Sequence, residues 1–321
     1  MTKYVMGIDG GGTKTTYTIA DLFGNIVYSN TEGTFHYLQI GLEGLKTELK
    51  KCVKTSLEQS DITTESIEAI FVGCPGYGDI TKDTPLIDKA IHEALLDFNV
   101  QVGNDTDNAL EGALAGQPGI NIIAGTGSIG LGIDSHMSRY KAGGWSHYFG
   151  GDEGIAYWIA SKLALAFTQQ ADNRTPRTLL YNYIMETLGF DDSSGILTLL
   201  LNDYSLDRDK VASLSVHAST LASMGDPIAL KIFEEAAFEL SKVYISIYEN
   251  LNFDLPVKAS YTGGVFKSGN IILDPLRKYL KDYSIELNPP IYEPDIGSIL
   301  AALKYANVKL NSEILNNLNN S

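Results

Sequence analysis

Residues 120–133 read INIIAGTGSIGLGI, and residues 5–20 read VMGIDGGGTKTTYTIA. Each is an apolar run, a turn of Gly with Thr or Ser, and a second strand-like run. Short apolar runs bounded by glycine turns suit buried strands. Working outward from the first, NIVYSN follows the turn-like LFG, which predicts a three-stranded antiparallel meander at residues 4–30. A helix is predicted over Gly41–Gln59, with Leu42, Leu45, Leu49, Cys52, Val53 and Leu57 on one face. IEAIFVG (67–73) and VQVGND (100–105) read as strands, and PLIDKAIHEALLDF (85–98) as an amphipathic helix turning Leu86, Ile87, Ala90, Ile91, Ala94 and Leu95 inward. A short helix then runs through Ala109 and Leu110.

At residue 120 the strand–turn–strand layout restarts, and YKAGGW (140–145) offers a third strand. From Asp152 on, helices dominate. Asp226 followed by Pro227 predicts an N-cap and a long helix to about Asn250. VKASYTGGV is strand then turn, ILDPLRKYLKDY helix, SIELNPP strand, and GSILAALKYANV the closing helix. The pattern is α/β with duplicated mixed-sheet cores. The restart divides the chain into domains 1–117 and 118–321, with the last helix, 296–310, packing back on the first domain. The Asn-rich tail after Leu310 reads as frayed.

Composition narrows the function. The 321 residues suit about two domains, long enough to bury a core without staples. The net charge of −15 speaks against nucleic acid, whose binding rests on Lys and Arg. Two cysteines, Cys52 and Cys74, cannot make a four-thiolate site within one chain. MTKYVMGIDG lacks the apolar stretch of a signal peptide, and no 18-residue apolar run occurs, so a cytoplasmic chain with no membrane partner is expected. Asn173-Arg174-Thr175 then matches the glycosylation sequon by chance.

Three glycine-rich turns follow apolar strands: Asp9–Thr13, Gly125–Ser128 and Thr262–Val265. Glycines let the backbone approach a phosphate and turn its N–H groups toward it. Thr13, Thr126 and Ser128 add hydroxyl donors. Gly125-Thr-Gly127-Ser-Ile-Gly130 matches GxGxxG, but a dinucleotide site needs that loop to open a helix, and LGIDS reads as strand. GGGTKT is no Walker A loop, because Thr13 separates Gly from Lys and strand-like TTYTIA follows.

In order along the chain stand DGGGTKT, GNDTDNALEGA, IAGTGSIG, AGGWSHYFGGDEGIAYWIA and TGGVFKSG. Together they resemble the BadF/BadG/BcrA/BcrD ATPase family, and within it the N-acetylglucosamine kinases. The resemblance covers essentially the whole chain. It implies the two-domain actin-like ATPase fold shared with sugar kinases and heat-shock ATPases, ATP and Mg²⁺ as cofactors, an N-acetylated amino sugar as substrate and a homodimer. A sibling class within the family, activators of 2-hydroxyacyl-CoA dehydratases and benzoyl-CoA reductases, carries an iron–sulfur cluster; a symmetric dimer could pool four thiolates for one. A sugar sensor with an inactive kinase fold is a third possibility, opposed by the presence of Asp9, Asp105 and Thr126.

Phosphoryl transfer needs a carboxylate at the attacking hydroxyl, a metal on the phosphates and donors to the γ-phosphate. By the resemblance, Asp105 is the general base, against the alternative that it only caps the following helix; Asp107 is left to the helix dipole. Asp9 acts on Mg²⁺ through water. Gly11, Gly12, Thr13 and Lys14 flank the phosphates, with Lys14 alternatively a solvated strand residue. Thr126 and Gly127 meet the γ-phosphate, and Gly263, Gly264 and Ser268 lie on the adenosine side. The sugar falls to Asp105, Ser128, Gly144, Trp145, Ser146 and Asp152, with Trp145 alternatively a core residue and Asp152-Glu153-Gly154 alternatively a helix start. Similar kinases carry an Asn where this chain has His36, in GTFHYLQIG. A protonated imidazole there could meet the lactyl carboxylate of N-acetylmuramic acid, which leaves that sugar and N-acetylglucosamine both open.

Overall fold

The computed structural model describes residues 2–148 and 150–319; Phe149, inside the fourth motif above, lies outside them. The chain divides into two compact units, Met1–Gln117 with Pro289–Ser321, and Pro118–Asn288.

The first unit opens with β1 (Tyr4–Gly10), β2 (Lys14–Asp21) and β3 (Ile26–Gly33), then α1 (Tyr37–Ser60), β4 (Ile67–Cys74), α2 (Thr84–Ala94), β5 (Val100–Asn104) and α3 (Asp105–Ala113). Its sheet has the order β3-β2-β1-β4-β5. β1 pairs antiparallel with β2 and parallel with β4. β1 is central and covered on both faces, which is why its sequence is a nearly unbroken apolar run. Met6 and Ile8 pack with Leu45, Leu49, Val53, Ile87 and Ile91, whereas Val5 packs on the opposite side. In α1 the backbone leaves helical geometry at Gly41, φ 72°, so the regular helix begins where the sequence places it, after a preliminary turn from Tyr37. α2 stops at Ala94, earlier than predicted, and Leu86 is 52% exposed rather than inward. Ile87, Ala90 and Ile91 take the inner face, and Leu86 lies one step of about 100° away from Ile87.

The second unit repeats the plan with β6 (Gly119–Ala124), β7 (Ser128–Ile133) and β8 (Arg139–Gly143). Helices follow: α4 (Ala156–Ala171), α5 (Leu179–Thr187), the single turn α6 (Gly195–Leu197), α7 (Arg208–Ser213), α8 (Ser215–Ser223) and α9 (Pro227–Asn250). Then come β9 (Val257–Thr262), α10 (Asn270–Leu280) and β10 (Ile285–Leu287). The order β10-β9-β6-β7-β8 is the first sheet's order read backwards, with the same parallel and antiparallel pairings. Asp226 caps α9 through the amides of Ile228 and Ala229, with Pro227 at its first position. Phe233, Leu240 and Tyr244 of α9 sit in the core with Ile120, Ile122 and Phe167.

The chain from Pro289 groups with the first unit. The sequence pattern places it in domain 118–321, with only its last helix, 296–310, packing back on the first domain. It forms α11 (Pro294–Tyr305) and α12 (Ser312–Asn319). A Cβ on Gly7 would strike Ser298, and one on Gly297 would strike the carbonyl of Asn108, so these glycines let α11 lie against β1 and α3. Over its described residues, 311–319, the tail is not frayed; Asn320 and Ser321 lie outside the described residues. Ile314 and Leu318 of α12 are buried beside Val5 and Ala20, and the Tyr292 hydroxyl donates to the Leu315 carbonyl at 2.6 Å. Buried Ile314 and Leu318, one turn apart, with half-buried Leu315 beside them, anchor a helix whose other residues are polar.

Candidate active site

The first unit brings the ends of β1 and β5 together with the β1–β2 turn. Asn104, not Asp105, caps α3: its Oδ1 accepts from the Thr106 amide at 3.0 Å, and Asp107 Oδ2 accepts from the Asn104 amide at 2.8 Å. This reciprocal capping box fixes where the helix starts. Asp107 is a cap member as well as a first-turn carboxylate, and Asp105 is the first helical residue, half-buried. Asn108 is fully buried and donates from Nδ2 to Asp9 Oδ1 at 2.7 Å and to the Ile8 carbonyl at 3.3 Å. Burial pushes the Asp9 carboxyl up to about 7; the Asn108 hydrogen bond opposes this, the charges of Asp105 and Asp295 add to it, and Lys14 opposes it weakly.

The turn itself is held from one side. Gly11 N–H closes it on the Lys14 carbonyl at 2.8 Å. Thr34 Oγ1 donates to the Gly11 carbonyl and Gln39 Nε2 to the Gly12 carbonyl, each at 2.7 Å. In a trans peptide the next N–H points opposite the carbonyl. The N–H groups of Gly12 and Thr13 therefore face away from Thr34 and Gln39. Thr13 and Lys14 are exposed.

His36 caps α1, its Nδ1 accepting from the Leu38 amide at 3.3 Å. Its ring lies within contact range of where a Gly76 side chain would start. Burial lowers its pKa, partly offset by Asp79. With Nδ1 accepting from an amide, that nitrogen carries no proton, and Nε2–H is the remaining donor. The cationic form that a carboxylate would favour is disfavoured.

The second unit builds a comparable turn between β6 and β7. The Gly125 carbonyl accepts from the Ala156 amide at 2.9 Å, satisfying a free N–H at the start of α4. The Thr126 carbonyl accepts from Arg208 Nη2 at 3.1 Å. By the same peptide geometry, the N–H groups of Thr126 and Gly127 face away from α4 and Arg208. Asp152, only 6% exposed, accepts from Arg208 Nη2 at 2.6 Å and from the Ser128 amide at 3.3 Å. Ser128 is buried. The Asp152–Gly154 triplet does not start a helix: α4 begins at Ala156, and Glu153 turns back onto the Gly151 amide at 2.9 Å. Trp145 is 82% exposed and is no core residue. Gly144 has φ 74°, and Ser146 Oγ accepts from the Tyr148 amide at 3.2 Å.

At the third turn, a Cβ on Gly263 would strike the Ala124 backbone, and its φ is 104°. Gly264 and Ser268 are the first and last residues of a 3₁₀ turn. Gly12, Gly125 and Gly264, one in each turn, have nothing within 4 Å of a Cβ and no positive φ. Among the described residues, nothing in the fold requires glycine at these places. Neither GxGxxG nor GGGTKT opens a helix, since β7 and β2 follow them as strands.

The family model for BadF/BadG/BcrA/BcrD ATPases matches residues 6–302. The chain belongs to this family. An N-acetylmuramic acid/N-acetylglucosamine kinase of Clostridium acetobutylicum is 30% identical over 279 residues, 87% of this chain and 90% of that one. An N-acetyl-D-glucosamine kinase of Dictyostelium discoideum is 29% identical over 93% of this chain and 97% of its own. The solved structure of a candidate N-acetylglucosamine kinase from Chromobacterium violaceum superposes with a TM-score of 0.68 at 22% identity, covering 93% of this chain and 98% of that one. Together with the two mixed five-stranded sheets, this is the actin-like ATPase fold of the sugar kinases.

Within this family framework, Asn108, Thr34, Gln39 and Arg208 are the residues that sequence reasoning missed. Asn108 lies inside GNDTDNALEGA, so its motif was legible and its contact was not. Arg208 belongs to no motif and meets Asp152 from 56 residues away. Cys52 and Cys74, the thiols a cluster-bearing activator would need exposed, are both buried, and burial pushes both thiols up. Among the described residues no group of three His, Cys, Asp or Glu could hold a metal by itself. No helix of the described residues is long and apolar enough to cross a membrane.

Proposed function

We propose that the chain is an ATP-dependent kinase that phosphorylates a hydroxyl of an N-acetylated amino sugar, N-acetylglucosamine or N-acetylmuramic acid. The observation that carries this is the end of β1 beside the first glycine turn, where Asn108 of α3 holds Asp9 at 2.7 Å and Asp105 is the first residue of the same helix. Burial first, then the Asp105 charge, raises the Asp9 carboxyl. A dication carried in with ATP relieves that repulsion, so the residues present fit Mg²⁺. Asp9 would hold it through water, with phosphates completing the shell, as suits a cation that keeps its waters. Mg²⁺ supplies neutralisation of phosphate charge.

In this reading Asp105 accepts the proton of the attacking hydroxyl. The amides of Gly12 and Thr13, with Lys14, hold phosphate oxygens, as do the amides of Thr126 and Gly127 and the Thr126 hydroxyl. Gly263, Gly264 and Ser268 line the adenosine side. Asp152, with Ser128, Gly144, Trp145 and Ser146, takes the sugar; the exposed Trp145 ring offers an apolar face and the Asp152 oxygens accept hydroxyl protons. His36 adds a donor from Nε2. The relatives named as amino-sugar kinases support the substrate class. A cytoplasmic homodimer is part of the same proposal, and sedimentation velocity reads its size.

The test is ADP release with both sugars, the parent hexoses and no sugar. Amino-sugar-dependent ADP formation supports the proposal. Equal ADP release with and without every sugar sinks it.

A further inference from the structure

Arg208 stands on no glycine turn and in no sugar-binding segment, yet its Nη2 is bonded to both. It donates to Asp152 Oδ2 at 2.6 Å and to the Thr126 carbonyl at 3.1 Å. Asp152 closes the circuit through its other oxygen, which accepts from the Ser128 amide at 3.3 Å. A Cβ on Gly127 would lie 3.0 Å from Arg208 Nη2 and 3.6 Å from Asp152 Oδ2, so the side-chain pair is laid directly against the turn. Asp152 is 6% exposed, and burying a carboxylate is costly unless it is hydrogen-bonded and paired. The approach of Arg208 is built deliberately. Ser205 and Leu206 are consecutive non-glycine residues at φ 50° and 55°, an unfavourable conformation, and Asp207 then caps α7 so that Arg208 is its first residue.

We propose that Arg208 is a positioning residue of the phosphoryl transfer, holding the sugar-side carboxylate Asp152 and the phosphate turn Gly125–Ser128 in one register. The proposal rests on the kinase reading above and adds to it a residue that touches neither substrate. A guanidinium suits this because one planar group serves a carboxylate and a carbonyl together, whereas an ammonium on a flexible stem does not hold both in a fixed geometry. Loss of the bridge frees the turn to shift against the sugar, and small displacements of a reacting group are expensive in rate.

The experiment compares wild type, Arg208→Lys and Arg208→Met by steady-state kinetics with N-acetylglucosamine and ATP, with circular dichroism to confirm folding. For Arg208→Met we expect kcat about 10²-fold lower and sugar KM about 10-fold higher, with ATP KM within about threefold. Arg208→Lys should fall between, closer to Met in kcat. Millimolar guanidinium should restore part of the rate of Arg208→Ala, whose side chain leaves room for it, and an equal concentration of sodium chloride should not. A residue that only stabilised the fold would lower the melting temperature and leave both constants of the folded fraction unchanged. Kinetics within twofold of wild type in folded Arg208→Met overturn the proposal. If Arg208→Met does not fold, wild-type constants in Arg208→Lys overturn it equally. If wild type phosphorylates no amino sugar, the kinase reading fails. The bridge is then read from sugar-independent ATP hydrolysis, where a drop of about tenfold or more in Arg208→Met supports it and an unchanged rate overturns it.

Discussion

Asn108 Nδ2 donates to Asp9 Oδ1 at 2.7 Å, joining α3 to the end of β1. α3 starts with Asp105. The bond therefore fixes the proposed base relative to the proposed magnesium carboxylate, through a side chain that is itself fully buried. Asn108→Ala removes the donor and leaves Asp9 oxygen partly unsatisfied. We expect a loss of about 1–3 kcal/mol in stability, the cost of an orphaned buried acceptor. Urea unfolding with and without Mg²⁺ and nucleotide checks it, and an unchanged midpoint would mean the bond contributes nothing net.

Asp9 also gives stability a pH dependence. Its carboxyl titrates near 3.8 when unfolded and at about 7 in the fold, because burial and the charges of Asp105 and Asp295 outweigh the Asn108 hydrogen bond. Between those values the folded state holds a proton that the unfolded chain has lost. This contribution is complete below the lower value and is lost as pH rises through the upper one. Its slope is at most about 1.4 kcal/mol per pH unit. Denaturant midpoints from pH 5 to 8 should fall more steeply for wild type than for Asp9→Asn, and Mg²⁺ with nucleotide should stabilise wild type more at pH 8 than at pH 5. Parallel profiles for the two proteins would contradict the raised pKa.

Asp105→Asn removes the base and keeps the shape. A positioned acid–base group contributes about 10²–10⁴-fold, so kcat should fall by that range with little change in sugar KM. Because Asp105 helps hold the proton on Asp9, the same variant should also shift the Asp9 titration downward. Asp107→Asn is the control. It weakens the capping box by about 1 kcal/mol and should leave kcat within a factor of about three. Loss of kcat in Asp107→Asn with full activity in Asp105→Asn would exchange the two assignments.

The parts of this fold written in local sequence were legible. The strand–turn–strand layout at residues 5–20 and 120–133 is visible twice, and both sheets follow from it. The capping pattern at Asp226-Pro227 located α9. What sequence does not carry is which distant side chain meets which. Nothing local links Arg208 to Asp152 or Asn108 to Asp9, because those pairs are set by how the helices pack on the sheets. The tail failed for a different reason. Its asparagines outweigh Ile314 and Leu318 in composition, but two buried residues on one face are enough to dock a helix whose packing, not its propensity, holds it. His36 was legible as a site candidate and not as a cap, since imidazole is an uncommon N-cap.

That cap makes His36 testable on two axes. Asn is a good N-cap, so His36→Asn should keep the stability of the fold within about 0.5 kcal/mol. Nδ1 is occupied as an acceptor and burial lowers the imidazole pKa, so Nε2–H offers both sugars the same donor. A neutral hydrogen bond is worth about 0.5–1.5 kcal/mol, so in His36→Ala, which keeps no donor, KM should rise about 2- to 13-fold for N-acetylglucosamine and N-acetylmuramic acid alike. His36→Asn, which keeps one, should lose less. A loss confined to N-acetylmuramic acid would show a cationic imidazole facing the lactyl carboxylate instead.

Gly263 and Gly264 are neighbours with opposite reasons for being glycine. A Cβ on Gly263 would strike the backbone of Ala124, and φ there is 104°. Neither the strand end nor a backbone in that region can yield cheaply, so Gly263→Ala should cost about 2–5 kcal/mol from strain and overpacking together. A Cβ on Gly264 meets nothing within 4 Å, and its φ is not positive. Gly264→Ala should therefore leave stability unchanged or raise it by up to about 1 kcal/mol, because alanine loses less freedom on folding. If the open side of Gly264 faces the nucleotide, the added methyl group stands in its place, and ATP KM should rise about tenfold while the sugar KM holds. Thermal unfolding and steady-state kinetics on the two variants separate these outcomes. A stable Gly264→Ala with ordinary ATP KM would remove the third turn from the nucleotide site, and a stable Gly263→Ala would show that the approach of β9 to Ala124 is looser than its geometry requires.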